Sequence, residues 1–435
     1  MRILLLFSLC LLWCDLQAFD PDRTFVYDSE AEVFVAPAPP DPIYLSGGTL
    51  IDGTGSPARS NVGLLLRHGR IESVRASDVP GDARVIDATG MWILPGMFDM
   101  HAHITFHWPS GAHAEDDILN ATRAERYLES YQSIGVTTVR DVASKHRIGY
   151  SLKRSQRMGF IGGARLYVSG PGITVTGGHP TELRPNEPAA YAIEADGATM
   201  MRKSVRAAVR DGADFIKVLP PYTEDEIAAV VSEAGYWKLR VTAHVGGDQD
   251  LMSATPRRAV SAGFDGIEHL YSLGPEDAVE ELLEEISDRN IYLTPTVGHH
   301  MRQLGRMDDV RRAWMKENIN YTPESVLSLL QRAHEQGIKI AVGTDSNAVH
   351  MRVIGDLYLE ELNGLMSGGL SAMEVIMAAS LNAAEAMGIS DELGSVTEGK
   401  MADMILVENN PLLGLEALVV PALVIQDGKI VHEKR

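Results

Sequence analysis

The segment Pro95-Gly96-Met97-Phe98-Asp99-Met100-His101-Ala102-His103 decides how the rest of this sequence is interpreted. Its apolar residues, and the Pro-Gly pair that precedes them, predict a short buried strand that ends in two histidines. Because side chains alternate along a strand, Asp99, His101 and His103 share one face. Two imidazoles on one face are able to bind one metal ion, although a pair of hydrogen-bonded loop histidines fits this short pattern equally well.

Strand segments and amphipathic helices alternate over residues 95–397, which predicts a parallel sheet. Helix starts are marked by capping boxes, in which Thr223 precedes Glu226 and Ser371 precedes Glu374. Eight strand–helix units of this length predict an α/β fold built on a (β/α)8 barrel, or TIM barrel. The eight strands are expected at residues 95–103, 136–139, 166–169, 214–218, 240–244, 266–269, 291–293 and 338–345.

The two ends of the chain, over residues 43–94 and 398–435, contain short strands separated by turns. The pairs His68-Gly69 and Asp427-Gly428 are typical of hairpin turns. Neither segment has enough apolar faces to be stable alone, so we expect the two to combine into one small β-sandwich domain. The Pro-rich residues 19–42 predict an extended N-terminal arm.

The first 18 residues have the composition of a secretory signal peptide, with Arg2, a short apolar run and the small residue Ala18. Cleavage near Ala18 predicts a secreted or periplasmic protein. Both cysteines, Cys10 and Cys14, lie in this leader. The mature chain would therefore lack disulfides, cysteine nucleophiles and thiolate metal ligands, so any metal would be held by histidine, carboxylate or a modified lysine.

The 435-residue chain carries a formal net charge of −20, with 45% apolar and 23% charged residues. This composition is that of a globular protein with a large core. The acidic balance argues against nucleic acid or an anionic membrane as the main partner. No segment after the leader is long and apolar enough to be a membrane anchor. The expected partner is a small molecule, and the sequence leaves a homo-oligomer open.

Four further polar residues, Lys217, His244, His269 and Asp345, are expected at the carboxyl ends of barrel strands, where barrel enzymes have their active sites. A single histidine so placed is more often a hydrogen-bonded core residue, but two on neighbouring strands are difficult to explain structurally. Neutral imidazole suits zinc and similar ions. Asp345 is the candidate base, because a carboxylate beside a metal binds the ion and accepts a proton from its water. The alternative for Asp345 is a turn or capping residue.

Lys217 lies among apolar residues, and an unpaired ammonium is costly to bury. One interpretation is a salt bridge to Asp99 or Asp345. The other is that burial keeps the amine neutral, so that it reacts with carbon dioxide to give a carbamate, a carboxylate that can bridge two metal ions. The strand-end histidines around Lys217 favour the carbamate.

These segments together resemble the amidohydrolase superfamily, and within it the imidazolonepropionase-like and prolidase-like (Xaa-Pro dipeptidase-like) branch. The resemblance runs from about Ile43 to the C-terminus. It rests on residues 95–103, 135–141, 212–218, 268–269 and 343–345 and on the tail segment 394–403. It implies a metal-dependent hydrolase that uses two divalent metal ions, usually zinc.

The resemblance also implies a role for each ligand position. His101, His103 and Asp345 hold the more buried ion, His244 and His269 hold the more exposed one, and carboxylated Lys217 bridges the two together with a hydroxide. Asp345 then carries a proton to the leaving nitrogen, and two cations lower the pKa of the bridging water.

Other residues are candidates for contact with the substrate. Gly177-Gly178-His179 resembles a Gly-Gly-His segment of this branch, which implies that His179 contacts the substrate carbonyl or its oxyanion; an ordinary loop histidine is the alternative. Arg140 or Arg184 would pair with a substrate carboxylate. The remaining candidates, each of which has a competing structural interpretation, are Tyr222, Tyr271, His299 and His300.

The leading functional hypothesis is hydrolysis of an amide bond in a dipeptide or an N-acyl amino acid. The loop after Lys217 is shorter than in prolidase-like proteins, which counts against dipeptidase specificity. A cyclic amide hydrolase of the imidazolonepropionase type is the second hypothesis. The third is a non-catalytic scaffold, which expects lost ligands, and all six ligand positions are present. A mononuclear deaminase is disfavoured because it has no use for Lys217.

Overall fold

The computed structural model describes residues 26–28, 33–35, 39–75, 79–105, 117–145, 147–181, 192–245, 254–269 and 276–434. The predicted leader and most of the predicted N-terminal arm lie outside these ranges. Within them, no helix combines the length and the apolar character needed to cross a membrane.

Strands near the N-terminus form a separate hairpin and the first part of a mixed sheet. They are β1 (Val26–Asp28), β2 (Val33–Val35), β3 (Ile43–Leu50), β4 (Arg59–Arg67), β5 (Arg70–Ser73), β6 (Arg84–Asp87) and β7 (Trp92–Pro95). β1 and β2 pair with each other as a separate hairpin, whereas β3, β4 and β5 form an antiparallel meander. The turn between β4 and β5 consists of His68 and Gly69, whose φ angles of 53° and 78° are those of the predicted two-residue hairpin.

Parallel strands form the barrel. They are β8 (Met97–His103), β9 (Val136–Asp141), β10 (Arg165–Val168), β11 (Gly172–Thr174), β12 (Ala192–Glu194), β13 (Phe215–Val218), β14 (Arg240–His244), β15 (Gly266–Glu268), β16 (Tyr292–Thr294) and β17 (Ser346–Asn347). They lie in two sheets of order β10-β9-β8-β17 and β12-β11-β13-β14-β15-β16. Asp214 N donates to Val168 O at 2.8 Å and joins the two sheets along one edge. The α/β barrel predicted from the sequence is confirmed.

The other edge is joined by residues 339–345, where the structure differs from the predicted eighth strand. The segment contains an isolated bridge at Ile340 instead of a continuous strand. Backbone bonds still hold it between β16 and β8, because Ala341 N donates to Leu293 O at 2.9 Å and Met100 N donates to Val342 O at 2.8 Å. At its end Asp345 adopts a left-handed φ of 50°, which breaks the extended backbone before β17.

Helices lie between the barrel strands. They are α1 (Asp117–Ser133), α2 (Ile148–Arg157), α3 (Gly197–Asp211), α4 (Glu224–Tyr236), α5 (Ala254–Ala262), α6 (Glu276–Asp288), α7 (Val297–Arg306), α8 (Asp309–Ile319), α9 (Pro323–Glu335), α10 (Ile354–Ser367), α11 (Ala372–Ala378) and α12 (Leu381–Met387). The predicted capping boxes are confirmed, since the side chains of Thr223 and Ser371 accept from the backbone N of Glu226 and Glu374.

Strands from the C-terminus complete the first sheet. They are β18 (Met404–Val407), β19 (Leu423–Gln426) and β20 (Lys429–Glu433), and β18 pairs antiparallel with β7. β18 is buried on both faces: Met404 and Leu406 pack into the core of the β domain, whereas Ile405 and Val407 pack into the core of the barrel. This double burial explains why its sequence is apolar at consecutive positions.

Candidate active site

Four histidines and one aspartate converge at the carboxyl ends of the barrel strands. The ligand atoms of His101, His269 and Asp345 lie within 4.8 Å of one another. His103 Nε2 lies 3.2 Å from Asp345 Oδ1, and His244 Nδ1 lies 3.1 Å from His269 Nε2. Two nitrogens bound to one tetrahedral zinc ion at about 2.0–2.1 Å are separated by roughly 3.3 Å, so the spacing of His244 and His269 fits a shared cation.

Left-handed backbone angles turn neighbouring residues of the site inward. The φ angle is 79° at His269 and 50° at both Thr296 and Asp345. Glu268 and His269 are consecutive, and in an extended strand they would face opposite sides. Both contact His101 instead, because Glu268 Oε2 accepts from its Nδ1 at 2.7 Å and the His269 ring centroid lies 4.5 Å from its ring centroid. Non-glycine residues rarely adopt these angles, which concentrate at functional sites.

Burial keeps His101, His244 and His269 neutral at physiological pH. It lowers the pKa of His101 to about 4, and it is also the main reason that the pKa values of His244 and His269 are well below the ordinary range. His101 and His269 use Nδ1 for hydrogen bonds, to Glu268 and to Thr296 Oγ1 respectively, which directs Nε2 of each ring into the site. Neutral imidazoles oriented in this way are suited to bind a metal.

Lys217, on β13, is 1% exposed, and its Nζ has no hydrogen-bond partner among the residues that the structure describes. Within those residues it therefore lacks the salt bridge to Asp99 or Asp345 that was one of its two interpretations. Burial lowers the pKa of its ammonium to about 8, an effect that Glu268 opposes and Arg140 strengthens. A buried amine with a lowered pKa is the state that the carbamate interpretation requires.

Asp345 contacts three histidines. Its Oδ1 lies 3.2 Å from His103 Nε2 and 3.6 Å from His101 Nε2, and its Oδ2 lies 3.2 Å from His299 Nδ1. Burial alone would raise the pKa of Asp345, but the nearby histidines, His299 first among them, hold it well below its ordinary value. The group is an ionised carboxylate at neutral pH, and it is able to accept a proton.

His179 lies at the edge of the histidine cluster. It follows β11, and its ring centroid lies 4.7 Å from that of His244. Its backbone N donates to Pro220 O at 2.7 Å, which ties its loop to the segment after β13. The structure thus gathers His179 and the six predicted metal ligands at one end of the barrel.

Tyr222 and Arg140, predicted as substrate contacts, have other surroundings. Tyr222 is 1% exposed and packs in the hydrophobic core, where its ring centroid lies 6.4 Å from that of Phe264. Arg140 is 6% exposed and donates to Met100 O at 2.6 Å and to Glu268. Both side chains are thereby engaged by the protein itself.

Tyr271 and Arg184, two further candidates, lie outside the described residues, so their roles stay predictions. His300 is buried, and its Nδ1 lies 2.6 Å from Tyr321 Oη. The His300 ring centroid also lies 6.1 Å from that of His269, and His299, which is 30% exposed, contacts Asp345 through its Nδ1.

Sequence reasoning missed three buried residues that support histidines of the site. Glu268 binds His101, Thr296 binds His269, and Glu361 on α10 accepts from Gly298 N at 2.7 Å at the start of α7, the helix that carries His299. A signal for Glu361 was present, since it is a charged residue on the buried, otherwise apolar face of α10. Regular strand alternation would place Glu268 and His269 on opposite faces, so no signal for Glu268 was present in the sequence.

Comparison with known proteins supplies the family. Residues 92–431 match the model of the amidohydrolase family. The chain belongs to the amidohydrolase family. This match spans the whole barrel and most of the C-terminal strands, so it includes every predicted metal ligand.

Three individual proteins show what this amidohydrolase is similar to. Ochratoxinase from Aspergillus niger is 28% identical over 421 residues, which cover 87% of this chain and 83% of that protein. Imidazolonepropionase from Caldanaerobacter subterraneus is 26% identical over 393 residues, which cover 80% of this chain and 84% of that protein. The crystal structure of a Xaa-Pro dipeptidase with bound methionine in the active site has a TM-score of 0.76 at 25% identity, and the match covers 90% of this chain and 100% of that one.

These findings confirm the resemblance to the imidazolonepropionase-like and prolidase-like branch. The protein is a metal-dependent hydrolase that acts on carbon–nitrogen bonds, and its substrates are small molecules.

Glu361 gives this site a testable pH dependence. Burial raises the pKa of Glu361 to about 8, whereas an unfolded glutamate titrates near 4.3. Since the folded carboxyl holds its proton over a range in which the unfolded one has lost it, the stability that it contributes at low pH is lost as pH rises from about 5 to 8. We expect the thermal midpoint of the Glu361→Gln variant to fall less than that of the natural protein across this range. Other groups titrate in both proteins and change both midpoints. If the two midpoints fell in parallel as pH rises, that result would contradict this assignment.

Proposed function

We propose that this amidohydrolase is a secreted enzyme with a binuclear metal centre, and that it cleaves an amide bond in a dipeptide or an N-acyl amino acid. The observation that carries the proposal is Lys217, an amine buried beside the site with no hydrogen-bond partner among the described residues. A mononuclear site has no need of a lysine at this position. A carbamate on Lys217 would convert a costly buried cation into a ligand that two cations neutralise.

The donor set fits two divalent cations, of which zinc is the first choice. His101, His103 and Asp345 would hold one ion, and His244 and His269 would hold the other. Carboxylated Lys217 would bind both ions. Neutral imidazole and carboxylate oxygen are ligands that zinc binds in other proteins. When bound, the ions supply an activated water and polarise the scissile carbonyl.

Asp345 is proposed as the proton shuttle. Its carboxylate is ionised at neutral pH, and both of its oxygens face imidazole nitrogens of the site. It would take a proton from the attacking water and deliver it to the leaving nitrogen, which must be protonated before the amine departs. His299, in contact with Oδ2, keeps that oxygen oriented.

His179 is proposed as the residue that meets the substrate carbonyl. It lies beside His244 and is partly exposed, so it borders the site. A hydrogen bond from its imidazole would stabilise negative charge that develops on the carbonyl oxygen.

The relatives support the proposed substrate class. The Xaa-Pro dipeptidase structure supports a dipeptide, and the ochratoxinase similarity supports amide-bond hydrolysis in general. The imidazolonepropionases from two bacteria support the second candidate, a cyclic amide. The connection from β13 to α4 is short and begins with Leu219-Pro220-Pro221. Because this short loop counts against dipeptidase specificity, we propose an N-acyl amino acid as well as a dipeptide.

Metal analysis tests the binuclear centre. We expect about two transition-metal equivalents per chain in the natural protein, and a loss of at least one in Lys217→Ala, because that change removes the bridging ligand. Lys339→Ala is the matched control, since Lys339 pairs with Glu385 on the surface, away from the ligands, and it should retain two equivalents. A single equivalent in the natural protein, or a full complement in Lys217→Ala, would contradict the proposal.

A substrate panel tests the reaction. We expect hydrolysis of a dipeptide or N-acyl amino acid, and a fall of roughly 100- to 10,000-fold in kcat for Asp345→Asn that still contains metal. Asp391→Asn, which changes an exposed carboxylate, should keep its rate. Turnover of cyclic amides alone would favour the second candidate, and no turnover of any amide by metal-loaded protein would favour a scaffold.

The N-terminal residue and the thiol content of the recovered protein test the proposed secretion. Protein recovered from the periplasm or the medium should begin at about Phe19 and contain no titratable thiol, since both cysteines precede that residue. Recovery of the full-length chain in the cytosol, with two thiols, would overturn the localisation and leave the catalytic proposal intact.

A further inference from the structure

Glu268 is a fully buried acidic group that contacts the predicted metal ligand His101. It is 0% exposed and accepts three hydrogen bonds, from His101 Nδ1, from Thr242 Oγ1 and from Arg140 Nη2. These donors come from β8, β14 and β9, so this carboxylate connects three strands to its own strand, β15. An ionised group so deep in the protein needs partners of this number and strength.

The bond to His101 selects one state of that imidazole. A carboxylate accepts a hydrogen bond, so the proton of the neutral ring must sit on Nδ1 when it meets Glu268 at 2.7 Å. The lone pair then lies on Nε2, which is the nitrogen that faces Asp345 at 3.6 Å. The anion also makes the imidazole a stronger base and therefore a better ligand.

Arg140 fixes the same geometry from the backbone side. Its Nε donates to Met100 O at 2.6 Å, directly before His101, and its Nη2 donates to Glu268. Its guanidinium also lies 5.1 Å from the centre of the Phe215 ring, two residues before Lys217. Arg140 thus supplies the charge that balances Glu268 and also holds the strand that presents His101.

We propose that Glu268 is a positioning residue for the metal centre: by accepting from Nδ1 it sets the tautomer and the orientation of His101, and Arg140 maintains it as an anion. The inference rests on the proposed metal centre and adds a residue to it. It also gives Arg140 a role inside the protein in place of contact with substrate. Loss of such a partner typically lowers metal affinity by about 10- to 100-fold.

Three variants separate this role from a contribution to folding. Glu268→Gln leaves Arg140 as a buried cation without its counter-charge, and Arg140→Met leaves Glu268 as a buried anion, so both should be less stable than the natural protein. The double variant removes both charges and should regain stability relative to either single variant. Because it still lacks the anionic acceptor for His101, its metal affinity should stay low.

The measurements are the dissociation constant for cobalt, by competition with a chelator after removal of the native metal, the visible absorption of the bound cobalt, and the thermal midpoint. We expect affinity about 10- to 100-fold weaker in Glu268→Gln and in the double variant, with a changed cobalt spectrum in both. Asp403→Asn is the control: Asp403 is likewise buried and paired with an arginine, Arg165, but it binds no predicted ligand, so it should lose stability and keep the natural affinity and spectrum.

Natural affinity and spectrum in the double variant would overturn the positioning role and leave Glu268 with a purely structural one. If Glu268→Gln fails to fold, the double variant decides the question. These outcomes are independent of the proposed reaction. Cobalt binding weakened in Glu268→Gln, in a protein that hydrolyses no amide, would support this inference while the proposed function fails.

Discussion

The cost of burying ionisable groups controls the end of the barrel where the histidines meet. Asp99, Lys217, Glu268 and His269 are all almost inaccessible to water. Each must be neutral, paired or bound to a cation if the fold is to be stable. Asp99 is paired, since it accepts from Thr344 and from Tyr131, and Glu268 is paired with Arg140. Lys217 has no such solution within the described chain, and it is the place where the protein's chemistry departs from ordinary core packing.

The second constraint is geometric. A strand exposes only every second side chain to the barrel interior, which would limit each strand end to one group at the level of the metal. Left-handed residues remove this limit. At His269 the reversal brings Glu268 and His269 to the same side, and at Thr296 it places a hydroxyl against the imidazole of His269. The site therefore has more polar groups than eight regular strands would supply, at a conformational cost that the surrounding hydrogen bonds offset.

Much of this arrangement was accessible from the sequence. Periodicity identified the barrel, and apolar runs ending in histidine, lysine or aspartate identified the strand ends, because both signals depend on local alternation. The roles of Glu268 and Thr296 could not be predicted from the sequence, since their side chains point inward because of backbone angles that the residue types do not indicate. Tyr222 was expected beside the substrate because it follows β13, but the chain after β13 turns into the core, where Phe264 lies against it. Position along the chain predicts how far along the barrel axis a residue lies better than it predicts the direction in which its side chain points.

The composite sheet has a consequence for biosynthesis. Pro95 on β7 pairs with Met404 on β18, about 300 residues further along the chain. While the polypeptide is being made, the N-terminal meander has no partner for this edge, and it stays open until almost the entire chain has been delivered. A ribosome that stops before β18 would release a barrel with one apolar strand, β7, uncovered. The sheet is therefore completed only when almost the whole chain has been made. A chain truncated before β18 would expose an apolar surface that quality-control proteases and chaperones bind.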